Sequence, residues 1–106
     1  MKERELQDAV IDCARALGWR VAHFRPAKTE KGWRTPVAAD GAGWPDLVLV
    51  RGSRLIFAEL KSATGKLSDA QVEWEYALER SGHAVYVWRP DDWLHGGVEE
   101  VLRAAA

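Results

Sequence analysis

At 106 residues the chain has the length of one ordinary domain and can bury a single core without disulfides or a structural metal. Its 15 Lys and Arg against 16 Asp and Glu give a net charge of −1, which excludes a protein that coats nucleic acid through a general basic excess; any contact with DNA has to be local. No apolar run is long enough to span a bilayer, the charged N-terminus does not resemble an export signal, and the lone Cys13 has no partner for a disulfide or a zinc site, so the expectation is a cytoplasmic protein without a membrane partner.

Residues 2–17 place Leu6, Val10, Cys13, Ala14 and Leu17 at helical spacing, and Gly18 supplies a C-terminal stop. Residues 19–24 read as a strand around Val21 that ends before Pro26. Residues 25–44 are rich in Gly, Pro and polar groups without either period, which predicts a long loop. Arg25, Lys28, Lys31 and Arg34 outnumber the acids there, and Trp33 lies among them, with Trp44 at the end. That mixture suits contact with a DNA backbone together with base stacking.

Residues 46–50 and 55–61 are β-prone runs on either side of Arg-Gly-Ser-Arg, which predicts a hairpin with Gly52 and Ser53 at its tip. Both faces of these runs are apolar, so the sheet is expected to be covered on each side. Ser68 and Gln71 form a capping box at the start of a helix, helped by a Leu67 to Val72 staple. Ala70, Trp74, Ala77 and Leu78 should face the sheet, and Gly82 ends the helix before a strand at 84–88. The tail from Pro90 suits one or two short helical turns. The order helix, three strands, helix, strand predicts one α/β domain with a mixed sheet, because the hairpin is antiparallel and the last strand follows a helical crossover.

A turn at Gly52 and Ser53 sets Val50 opposite Leu55, Val48 opposite Phe57, and Asp46 opposite Glu59. Lys61, two residues beyond Glu59, points to the same face. Two carboxylates facing each other across a sheet repel, and need a proton or a cation between them. Mg²⁺ is the natural partner, since it takes carboxylates, waters and phosphate oxygens, and the Leu60 carbonyl is a further oxygen within the same run. A bare acid and lysine on a strand is otherwise a solvated ion pair. Here the register, the Trp44-Pro45-Asp46 entry and the second acid raise it above that.

Gly-Trp-Pro-Asp-Leu at 43–47 followed by Glu-Leu-Lys at 59–61 resembles the signature of PD-(D/E)xK nucleases, specifically their VRR-NUC group. The resemblance extends from the opening helix through 58–62 and 67–71 to the strand ending at Pro90. It implies a restriction-endonuclease-like αβββαβ core and phosphodiester cleavage dependent on Mg²⁺ or Mn²⁺. It assigns Asp46 and Glu59 as metal ligands and Lys61 as the catalytic lysine. It also implies an acid on the first helix, which falls at Glu3. Helical geometry favours Glu3 over Glu5, because Glu3 shares the stripe of Leu6, Val10 and Leu17 whereas Glu5 points away and reads as a solvated charge.

Gln71 matches a glutamine that approaches the site in related nucleases, and the capping box explains it equally well. His23 reads as a structural or DNA-contacting residue, and His83 and His95 as surface. Trp19, Trp74 and Trp88 suit packing. Lys61 is open to two roles, general base or electrostatic stabiliser. The family further implies branched DNA such as a four-way junction as substrate, cut by a homodimer. The rival readings are a DNA-binding or dimer scaffold that keeps the fold without the catalysis, and a small-molecule hydrolase.

Overall fold

A computed structural model describes residues 1–24, 27–29, 32–34 and 38–104. The first helix, α1 (Glu3–Ala16), forms where expected, with Leu6, Val10 and Ala14 fully buried along one stripe. Glu5 is more than a solvated charge: its carboxylate accepts from the Lys2 backbone N–H at 3.2 Å, satisfying one of the donors that a helix start leaves open. The chain then reverses at Gly18, whose φ of +89° suits glycine, into β1 (Arg20–His23).

Two three-residue strands, β2 (Ala27–Thr29) and β3 (Gly32–Arg34), pair antiparallel within the segment expected to be loop throughout. Each is too short to show the alternation by which a strand is read from sequence. The β4 (Leu47–Arg51) and β5 (Arg54–Leu60) hairpin has the predicted register, with Val50 opposite Leu55 and Val48 opposite Phe57. A crossover through α2 (Asp69–Arg80) delivers β6 (Ala84–Trp88) parallel to β5. The larger sheet runs β1-β4-β5-β6, antiparallel but for its last pair, and the α/β core with a mixed, helix-flanked sheet is as the sequence implied.

One face of this sheet holds the core. Leu47, Leu49, Ile56, Ala58, Leu60 and Trp88 pack there with the stripe of α1 and with Val98 and Leu102 of the tail. The tail forms α3 (Pro90–Leu94) and α4 (Gly97–Arg103). On the opposite face α2 packs over β6, reaching β5 at Glu59. Cover on both sides therefore holds for β5 and β6 but not for the β1–β4 end, where Val50 is 38% exposed. The helix is also less deeply set than its sequence stripe suggests: Ala77 is exposed, Ala70, Trp74 and Leu78 are half-buried, and no α2 residue is fully buried. Among the described residues no helix is long and apolar enough to cross a membrane.

Candidate active site

The hairpin register brings Asp46 and Glu59 together one step beyond the last paired residues, Leu47 and Ala58. Asp46 sits at the bend entering β4. Its backbone carbonyl accepts from the Phe24 N–H at 2.9 Å and its Oδ2 accepts from the Leu60 N–H at 2.8 Å. The carboxylate is thus held by the backbone of the strand it faces. Glu59 is only 5% exposed although it lies on the face away from the main core.

Burial pushes the Glu59 carboxyl up to about 9. A hydrogen bond to the Asp46 carboxylate and its negative charge add to the rise, Lys61 opposes it, and Glu3 contributes a smaller repulsion. The raised value favours the protonated Glu59 carboxyl beside Asp46, which relieves the repulsion between two facing acids.

Gln71 makes a cap contact and a site contact at once. Its Oε1 accepts from the Ser68 N–H at 2.8 Å, closing the capping box, while its Nε2 donates to Glu59 Oε1 at 3.0 Å. The start of α2 is in turn docked by Gly43, at a φ of +84°. A β-carbon on Gly43 would lie 2.4 Å from the Ala70 carbonyl carbon and 2.7 Å from the Gln71 nitrogen. Only glycine allows the loop entering β4 to lie this close to the helix, so the Gly-Trp-Pro-Asp run places Asp46 and Gln71 together.

Lys61 follows β5 and is half-buried, its N–H donating to the Trp88 carbonyl at 3.0 Å and its charge acting on Glu59. Glu3, on the exposed first turn of α1, acts on Glu59 only through its charge. Among the described residues, no three acidic, histidine or cysteine side chains form a ready metal cluster. The Asp46 and Glu59 donors nevertheless suit a hard dication: both are carboxylates, and a cation between them would relieve the same repulsion that helps to raise Glu59.

Trp44 is half-buried and packs as well as flanking a pocket. It meets Phe24, Phe57 and Trp74 edge to face, with centroids 6.1, 5.5 and 4.9 Å away, and its buried indole N–H has no acceptor among the described residues. Packing explains it first. With Phe24, Trp74 and residues 38–41 it lines an open pocket of about 430 Å³, whose wall is also tied by the Trp74 N–H donating to the Asp40 carbonyl at 2.9 Å. Of the expected backbone contacts, Lys28 lies on β2, and Trp33 and Arg34 lie on β3, while Arg25 and Lys31 lie outside the described residues. His83 is exposed, with its ring against Phe57 at 6.0 Å.

Of the residues singled out in the sequence, Asp46, Glu59 and Gln71 are brought into contact, with Lys61 directly after β5. Gly43 as a point of close approach and the Leu60 N–H as the anchor of Asp46 are not legible from the motif alone. The isolated glycine ahead of Trp-Pro-Asp was the available signal for the former; the latter follows only from the bend that precedes β4.

An α/β domain with Asp and Glu at facing ends of a hairpin, and a lysine two residues beyond the Glu, has the arrangement of the PD-(D/E)xK nuclease superfamily. The VRR-NUC domain model matches residues 4–92, most of the chain, and the chain belongs to that family. Its function is accordingly of the nuclease type. No curated protein and no solved structure matches it.

Proposed function

We propose that this protein is a metal-dependent DNA endonuclease that hydrolyses phosphodiester bonds with structural selectivity, branched or four-way junction DNA being the preferred substrate. The reading makes residues 1–106 a single cytoplasmic nuclease domain. The observation that carries it is the buried Glu59 joined to Asp46 and Gln71 beside Lys61, in a chain of nuclease family.

Asp46 and Glu59 would hold Mg²⁺ or Mn²⁺, with the Leu60 carbonyl and Glu3 completing the protein's share of oxygen donors. The ion supplies positive charge that polarises a phosphodiester and eases deprotonation of water. Gln71 fixes the Glu59 carboxylate from the helix side and the Leu60 N–H fixes Asp46 from the strand side, so both acids are oriented before substrate arrives. Lys61 brings positive charge to the site, placed to orient the attacking water or to stabilise the charge that develops on the phosphate.

Arg25, Lys28, Lys31 and Arg34 would meet the DNA backbone, with Trp33 and the Trp44 wall of the pocket offering surfaces to bases. One site per chain makes one cut, so paired cuts in a junction call for a homodimer.

The test is cleavage of labelled four-way junction, flap, single-stranded and linear duplex DNA in Mg²⁺ or Mn²⁺ by the wild type, Asp46→Ala and Lys61→Ala. Cutting that vanishes in both variants supports the nuclease and identifies its substrate. DNA binding without cutting under every metal condition overturns it in favour of a scaffold.

A further inference from the structure

Lys61 opens a tight loop between β5 and the cap of α2, and that loop is tied to the far end of β6. The Arg89 Nη1 donates to the Ser62 carbonyl and to the Gly65 carbonyl, both at 2.7 Å. The Gly65 N–H donates to Ser62 Oγ at 2.9 Å, closing the loop on itself. A β-carbon on Gly65 would come within 2.9 Å of Ser62 Oγ and 3.6 Å of Lys61 Cδ, so the stem of Lys61 runs along Gly65. On the strand side the Lys61 N–H is bonded to Trp88, the residue next to Arg89.

We propose that Arg89 is a positioning residue that sets where the Lys61 amine sits. It acts through the two carbonyls its side chain grips. A charged donor shared between two backbone carbonyls is a strong, directional tie. A lysine in its place is shorter and lacks the planar guanidinium, so Arg89→Lys would restore the charge without the grip. The Asp92 carboxylate, which accepts from the Arg89 backbone N–H at 2.7 Å, keeps the start of α3 in place whatever stands in the side chain. Loss of the grip therefore need not unfold the tail.

The inference rests on the nuclease reading for its effect on rate, but not for its effect on Lys61 itself. The experiment measures kcat, KM and thermal stability for wild type, Arg89→Ala, Arg89→Lys and Gly65→Ala, and in parallel the rate at which a small amine-reactive ester labels Lys61, read by peptide mass spectrometry. Both Arg89 variants should lower kcat about tenfold or more with KM little changed, as expected of a catalytic group moved by a fraction of an ångström. Gly65→Ala, which crowds the Lys61 stem, should do the same with Arg89 intact. Labelling of Lys61 should change at least twofold in each variant, while the other lysines label as in the wild type.

Wild-type kcat and wild-type Lys61 labelling in Arg89→Ala would overturn the inference. A uniform change in the labelling of every lysine would overturn it too, since that marks general loosening. If the wild type cuts no DNA, the nuclease reading fails, and the labelling arm still decides whether Arg89 places Lys61.

Discussion

The Gln71 side chain spans two structures at once, its oxygen on the Ser68 N–H at 2.8 Å and its nitrogen on the Glu59 carboxylate at 3.0 Å. The helix cap and the acid are thereby coupled, and two variants separate them. Ser68→Ala removes the side-chain cap that accepts from the Gln71 N–H at 3.2 Å and leaves the contact with Glu59. It should lower stability by about 1 kcal/mol, the usual worth of such a cap, with cleavage little changed. Gln71→Ala should lower stability comparably and slow cleavage about tenfold to a hundredfold, as when a partner that orients a ligand is removed. Urea melts and single-turnover cleavage measure the two effects, and equal cleavage by both variants would make Gln71 a cap alone.

Gly43 should tolerate no side chain. Gly43→Ala combines an unfavourable φ of +84° with a β-carbon 2.4 Å from the Ala70 backbone. Neither the helix backbone nor the bend at Asp46 can yield without moving the site. Left-handed strain and overpacking together predict a loss of roughly 2–4 kcal/mol. The melting temperature and urea midpoint report it, and an unchanged midpoint would show that the loop lifts off α2 freely.

These two residues mark how far the sequence could be read. Gln71 was legible because a capping box is local, and its two possible roles draw on opposite ends of one amide. The Asp46 and Glu59 pair was legible because a two-residue turn fixes every position along a hairpin. Gly43 against Ala70 was not, since a contact between a loop and a helix 27 residues on leaves no period in either segment. The strands β2 and β3 were hidden for a related reason: three residues carry too little pattern to stand out from a polar loop. The packing of Trp44 against three other rings was not legible, because an aromatic side chain beside a motif looks the same in sequence whether it lines a pocket, packs, or does both.

The raised Glu59 carboxyl makes the protein without metal sensitive to pH. Burial first, then the bond to Asp46, hold Glu59 at about 9, whereas an unfolded glutamate titrates near 4.3. Across the window between those values the folded state keeps a proton that the unfolded state has released, so stability falls as pH rises. The contribution is fully present below the unfolded value and lost as pH climbs through the folded one. Thermal melts in a chelating buffer from pH 5 to pH 9 should show this decline, and Glu59→Gln should flatten it. Mg²⁺ should oppose the decline most at high pH, where no proton competes with it for the carboxylates. A melting temperature that rises over this range in the metal-free protein would contradict a raised Glu59.

At the other end of the same hairpin the chemistry gives way to construction. Arg51 Nη1 donates to the Leu102 carbonyl at 2.8 Å, Arg54 Nη1 to the Val101 carbonyl at 3.0 Å, and the Trp19 N–H to Leu102 at 2.9 Å. Both guanidinium groups lie over the Trp19 ring, at 4.8 and 5.1 Å from its centroid. Positive charge is thus set against the last carbonyls of α4, where a helix end leaves acceptors open. Arg51→Met keeps much of the stem and removes the donors, so it should destabilise by about 1.5–3 kcal/mol, the usual range for hydrogen bonds from a charged group. Asp46 and Glu59 stand at the opposite end of the two strands, so kcat below the unfolding transition should match the wild type. Paired measurement of the urea midpoint and cleavage rate tests this separation, and a fall in kcat without a fall in stability would show that the turn communicates with the acids.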